Sequence, residues 1–172
     1  MKKLLLFMIS VLLLTGTVCA HGTISETEMN IGGINIGASL DYVEQIYRQP
    51  TKKSTVTYRN GVQYITYDYN ALFSVNAYCT LNGFNGGTYV DGIVCREDNS
   101  STPSGFAVGM PFKNVTAKYP KSRLMTNPQW VYGYRKDYAY YEYEYFAEML
   151  IFAVDKHGII KEIQCISNVS GE

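Results

Sequence analysis

The chain has 172 residues, with fifteen Lys and Arg against fifteen Asp and Glu; without an N-terminal leader carrying Lys2 and Lys3 the balance is 13 against 15, a formal charge of −2. Nucleic-acid and anionic-membrane binding draw on clustered positive charge through counterion release, so this balance argues against both partners. Hydrophobic residues at 47% and aromatics at 14%, sixteen of them Tyr, exclude disorder and point to a folded, sheet-rich chain.

Residues 1–20 have the layout of a secretory signal. Lys2 and Lys3 form a basic start, Leu4 to Leu14 an apolar run too short to span a bilayer as a helix, and Val18-Cys19-Ala20 places small residues for cleavage after Ala20. Gly16 and Val18 stand where lipoprotein processing wants Leu and a small residue before Cys19, so no lipid anchor is expected. The mature chain is expected to lie outside the cytoplasm, periplasmic or secreted, with no transmembrane segment. Residues 21–30 read as a flexible leader.

An internal repeat follows. Ile36 to Tyr47 aligns with Val108 to Tyr119 at an offset of 72, matching Ile36 with Val108, Gly37 with Gly109, Leu40 with Phe112, Val43 with Val115 and Tyr47 with Tyr119. Val90 to Cys95 resembles Ile160 to Cys165 at an offset of 70. These matches divide the chain into a first unit over 31–95, a linker over 96–105 with loop composition, a second unit over 106–167 and a tail over 168–172.

Each unit opens with a helix. Leu40, Val43 and Tyr47 share a face, Ser39 suits the cap and Asp41 the positive end of the dipole; Phe112, Val115 and Tyr119 repeat that face, and Pro50 and Pro120 stop the two copies. Val56 to Arg59 and Val62 to Tyr69 read as a hairpin through a type I′ turn at Asn60-Gly61. Phe73 to Thr80 and Thr88 to Cys95 form the next, around a Gly-rich turn at 82–87. In the second unit one hairpin runs from Trp130 through Arg135-Lys136-Asp137 to Tyr145, and another joins Met149 to Val154 with Ile159 to Ile166. The expected fold class is α+β, two tandem helix-plus-antiparallel-meander repeats in two layers.

Candidate chemistry is sparse, and no catalytic residue, metal site or cofactor is assigned. Of Cys79, Cys95 and Cys165, the first two lie on neighbouring strands of one hairpin and are the favoured disulfide, with Cys95 and Cys165 as the rival pair. His157 sits in a turn. His21 would become the new N-terminus after cleavage, where its amine and imidazole form a bidentate copper ligand. Glu142 and Glu144 share one side of a strand and read as solvated surface. The aromatic strands are the strongest signal: Trp130, Tyr132 and Tyr134 line one strand, and Tyr141, Tyr143 and Tyr145 one side of the next. With one short helix per unit the other sheet face is expected to stay open, where Tyr and Trp give large contact area at low rotamer cost.

The run Ile36-Gly37 through Val43 to Tyr47-Arg48-Gln49-Pro50, followed by a Tyr-rich meander, resembles the SmpA/OmlA family of outer-membrane-assembly lipoproteins. Its doubling resembles the tandem β-lactamase inhibitory proteins. The resemblance implies the two-layer fold and a protein-binding role. The leading expectation is therefore a non-enzymatic secreted or periplasmic module that binds a protein or envelope component through its aromatic sheet face. The alternative is a secreted enzyme with a site between the repeats, metal-assisted through His21.

Overall fold

The computed structural model describes residues 23–59, 61–70, 72–79 and 88–167, with backbone alone for Tyr78 and Cys79. The expected signal, its cleavage site, His21, Asn60 and the turn over 82–87 lie outside the described residues.

The described chain opens with a 3₁₀ turn at Glu26–Glu28 and a small hairpin of β1 (Asn30–Ile31) and β2 (Ile34–Asn35). Its apolar residues Ile24, Met29, Ile31 and Ile34 are buried, so much of the stretch read as a flexible leader is anchored in the core. Tyr47 Oη donates to Gly32 O at 2.8 Å; a β-carbon on Gly32 would displace that hydroxyl, and the residue has φ 60, so glycine is favoured here on both counts.

Helix α1 (Leu40–Tyr47) begins where Ser39 Oγ accepts from the Tyr42 N–H at 3.2 Å, with Asp41 in the first turn. It buries Leu40 and Val43 and stacks Tyr47 on Phe73 with ring centroids 4.7 Å apart. Helix α2 (Lys113–Lys118) buries Val115, flanked by buried Phe112 and Tyr119. Both are too short to persist without this packing.

The strands are β3 (Lys52–Thr57), β4 (Gln63–Asn70), β5 (Phe73–Cys79), β6 (Thr88–Cys95), β7 (Arg123–Leu124), β8 (Ala139–Tyr145), β9 (Glu148–Val154) and β10 (Ile160–Ser167). They form one antiparallel sheet in the order β3-β4-β5-β6-β10-β9-β8-β7. The seam sets Ile163 opposite Cys95, Gln164 opposite Val94, Cys165 opposite Ile93 and Ile166 opposite Gly92.

The expected two-layer α+β tandem fold is thereby corrected. Among the described residues the molecule is mostly β, an eight-stranded antiparallel sheet plus a two-stranded one, with α-helices of eight and six residues. The reason lies in β6 and β10: each carries apolar side chains on both faces, and a strand of that kind left at an edge would expose an unpaired, sticky ladder. Pairing them fuses the two meanders.

Tyr58 N–H donates to Val62 O, joining β3 to β4, and Gly61 has φ 81. One further correction concerns a connection. Residues 130–134 are not a strand; Pro128–Trp130 form a 3₁₀ turn, Gly133 has φ 64, and the outer partner of β8 is the two-residue β7.

The faces of the sheet differ. One carries both helices and the N-terminal hairpin over Phe73, Val75, Ile93, Leu150, Phe152, Ile163 and Cys165. On the other, the excursion between β7 and β8 covers the second half, where Val131 packs with Tyr140, Met149, Ile151, Ala153 and Ile166, and reaches over the seam to Gly92 through Tyr132. On the first half of that face Lys52, Ser54 and Val56 are exposed.

Candidate functional site

The six aromatic residues expected to form one recognition surface divide between the two faces. Tyr141, Tyr143 and Tyr145 point to the helix side. Tyr141 stacks on Phe112 at 4.5 Å, Tyr143 is buried and donates its hydroxyl to Tyr119 O at 2.7 Å, and Tyr145 packs against the main core. Their strand alternation sends Tyr140, Glu142 and Glu144 to the opposite face. Burial raises the Tyr143 pKa, as expected of a hydroxyl that works inside a core.

Trp130, Tyr132 and Tyr134 do reach the helix-free face, carried by the β7–β8 excursion. Trp130 is 52% exposed, Tyr132 36% and Tyr134 39%. The Tyr134 ring lies 5.7 Å from that of buried Tyr140, and Tyr140 Oη in turn accepts from the Arg135 N–H at 2.8 Å. Tyr132 reaches across the seam: a β-carbon on Gly92 would fall 3.0 Å from its Cε2.

A polar network fixes that position from below. Gln164 Nε2 donates to Tyr132 O at 2.7 Å and to a carboxylate oxygen of Glu162, while Arg96 Nε pairs with Glu162 Oε2 at 2.5 Å and Arg96 Nη2 reaches Tyr132 O at 3.5 Å. Glu162 is buried, and desolvation raises its pKa against the opposing pull of Gln164 and Arg96. Beside Gly92 the ladder slips between Asn76 and Ala77, a β-bulge that takes up Asp91. Asp91 Oδ1 is buried with no hydrogen-bond partner, and desolvation raises its pKa. Tyr132 is likewise pushed up, by burial first and then by Asp91, Tyr64 and Tyr58. Tyr58 and Tyr64 meet edge to face at 5.4 Å, extending the aromatic surface toward β3.

Sequence reasoning missed this centre, although two signals mark it. A glycine inside an apolar strand, as Gly92 is in β6, indicates a bulge or a close approach. Arg96 falls at the start of the stretch with linker composition, and Gln164 is a polar residue set between Ile163 and Cys165.

At the far end of the same face lies a cleft of about 640 Å³ lined by Arg123, Leu124, Met125, Thr126, Asn127, Trp130, Glu142, Glu144 and Met149. Glu142, expected to be solvated, is buried because Arg123 neutralises it: Arg123 Nε is 2.6 Å from Glu142 Oε1 and Nη2 2.6 Å from Glu144 Oε1.

The expected Cys79–Cys95 bridge does not form, because Cys95 is a free thiol. Register explains it. Cys95 faces Phe73 and Cys79 faces Thr88, so the two cysteines sit at opposite ends of the hairpin. Six strand residues span about 20 Å, against the roughly 7 Å that a disulfide tolerates between α-carbons. Cys95 and Cys165 are diagonal neighbours across the seam and both are free and buried. Desolvation pushes the Cys95 pKa up to about 11, and raises that of Cys165 as well.

Ser104, Lys118 and Glu28 also meet on the helix side. Ser104 Oγ bonds to Glu28 Oε1, and Lys118 Nζ donates to Ser104 Oγ and lies 3.9 Å from Glu28. These contacts tie the N-terminal segment to α2 through Ser104. His157 lies exposed in the β9–β10 turn, its N–H bonded to Asp155 Oδ1 at 2.8 Å. Among the described residues no three His, Cys, Asp or Glu are grouped to hold a metal ion, and no helix is long and apolar enough to cross a membrane.

No family model and no curated protein matches the chain. Among solved structures it is similar to an extracellular protein containing a SCP domain from Bacillus anthracis, with a TM-score of 0.49 and 10% identity over 77% of this chain and 44% of that one. It is also similar to a DUF4309 family protein (YjgB) from Bacillus subtilis, with a TM-score of 0.47 and 11% identity over 86% of this chain and 88% of that one. Neither is described as an SmpA/OmlA protein, and at these values neither likeness carries a function to this chain.

Proposed function

We propose that the protein is a non-enzymatic, extracytoplasmic binding module that recognises a protein or envelope component through the helix-free face of its sheet. The observation that carries this reading is the arrangement of the β7–β8 excursion, which holds Trp130, Tyr132 and Tyr134 part-exposed on that face. Tyr132 is seated on Gly92 and tied through its carbonyl to Gln164. Aromatic side chains already held in place lose little rotamer entropy on binding, and such residues supply most of the affinity at protein surfaces.

The test is affinity capture from envelope and culture fractions with residues 21–172 as bait, compared with a variant carrying Trp130→Ser, Tyr132→Ser and Tyr134→Ser. The reading requires a specific component retained by the wild type and lost from the folded variant. Equal retention by both would remove this face from recognition.

A further inference from the structure

We propose that the cleft between the β7–β8 excursion and β8 is a saccharide subsite, and that it takes a neutral or amino sugar ring. This rests on the reading of the helix-free face as the recognition face and names the chemistry of one part of it.

The volume of about 640 Å³ falls within the range of small-ligand sites. Its composition is the argument. A sugar ring has an apolar C–H face and a rim of hydroxyls that each donate and accept. The cleft offers both complements. The Trp130 indole, 52% exposed, supplies a broad apolar plate, continued by Leu124, Met125 and Met149.

The same cleft is lined by planar polar groups. Arg123 bridges Glu142 and Glu144 with two 2.6 Å contacts; the Glu142 carboxylate is buried, while the Arg123 and Glu144 side chains are 66% and 53% exposed. Asn127 precedes the 3₁₀ turn without capping it, so its side-chain amide is not committed there. Planar acceptors and donors of this kind suit vicinal hydroxyls, which donate and accept in pairs.

Charge selects the class of sugar. One guanidinium against two carboxylates leaves the cleft at one net negative charge, which disfavours uronic, sialic and phosphorylated sugars and admits neutral or amino ones.

Trp130 is the sole tryptophan of the chain, so its fluorescence reports this cleft directly. The experiment titrates the purified protein with tetrasaccharides of N-acetylglucosamine, glucosamine, glucose (β-1,4 and α-1,4 linked) and mannose, with a tetragalacturonate as the acidic control. At least one neutral or amino sugar is expected to give a saturable blue shift of emission with a Kd below about 1 mM. By calorimetry, Trp130→Ala is expected to weaken that sugar by roughly tenfold or more, Trp130→Phe by less, with unchanged melting temperature in both.

Three results overturn the inference: no saturable change up to about 10 mM of any neutral or amino sugar, a preference for the acidic control, or binding that survives Trp130→Ala. In each case capture of a partner that depends on Tyr132 and Tyr134 would leave the binding-module reading standing, whereas equal capture by wild type and variant would remove that reading while leaving the sugar result intact.

Discussion

The ring of Tyr132 lies across the backbone of Gly92, so close that a β-carbon on the glycine would sit 3.0 Å from Tyr132 Cε2. An exposed aromatic residue is thereby attached to the strand that pairs at the centre of the sheet. Gly92→Ala should force the ring outward at a cost of about 1 kcal/mol, the low end for overpacking. Tyr132→Ala removes the obstacle, so the double variant should lose less stability than the two single losses added together. Urea unfolding of the four proteins measures the coupling, and strict additivity would show that the two residues do not touch.

Arg96 and Glu162 give a pH-dependent counterpart. Burial raises the Glu162 pKa in the folded protein above its ordinary value, so the native state holds this proton more tightly than the unfolded chain does. The carboxylate therefore costs stability above its folded pKa, and the cost is recovered as pH falls through that value. Arg96, 2.5 Å away, offsets part of it. Arg96→Met should lose about 2 to 3 kcal/mol between pH 7 and 8, reduced from the fully buried case because the arginine is partly exposed. Without the guanidinium Glu162 protonates at higher pH, so the deficit relative to wild type should shrink toward pH 5. A deficit independent of pH in denaturant unfolding would contradict this.

The two buried thiols predict silence. With Cys95 pushed up to about 11 and Cys165 also raised by desolvation, neither supplies thiolate near neutral pH. Iodoacetamide at pH 7.5 should leave both unmodified in the native protein and label both in guanidinium, as read residue by residue by mass spectrometry. Rapid native labelling of either would mean that the seam opens.

What the sequence made legible was local. Leu40, Val43 and Tyr47 announce a helix because their spacing is a property of one short segment, and Ser39 caps it as its side chain allows. Asp155 and Gly158 likewise mark the β9–β10 turn, where the aspartate accepts from the His157 and Ile159 N–H groups. What was not legible depended on distant partners. The apolar character of β6 and β10 says that both are central, yet nothing in either segment says that they pair with each other. Alternating Trp130, Tyr132 and Tyr134 imitate a strand, but Pro128 and the left-handed Gly133 break any ladder. Strand β8 carries tyrosines on both sides, and the choice of face was made by Phe112 and Tyr119, which receive Tyr141 and Tyr143.

The N-terminal segment separates apolar from ionic anchoring within two adjacent residues. Met29 is 2% exposed, with its sulfur 3.9 Å from Cys165 Sγ, so Met29→Ala should cost about 2 to 4 kcal/mol through lost burial and the cavity it leaves. Glu28 is as deeply buried, yet its Oε2 has no partner and Lys118 is 52% exposed, so desolvation consumes most of what the ion pair returns. Glu28→Gln keeps an acceptor for Ser104 and removes the buried charge, and should therefore stay within about 1 kcal/mol of wild type. Denaturant unfolding distinguishes the two. A large loss from Glu28→Gln that shrinks as the salt concentration is raised would show instead that the charge fastens this segment to α2.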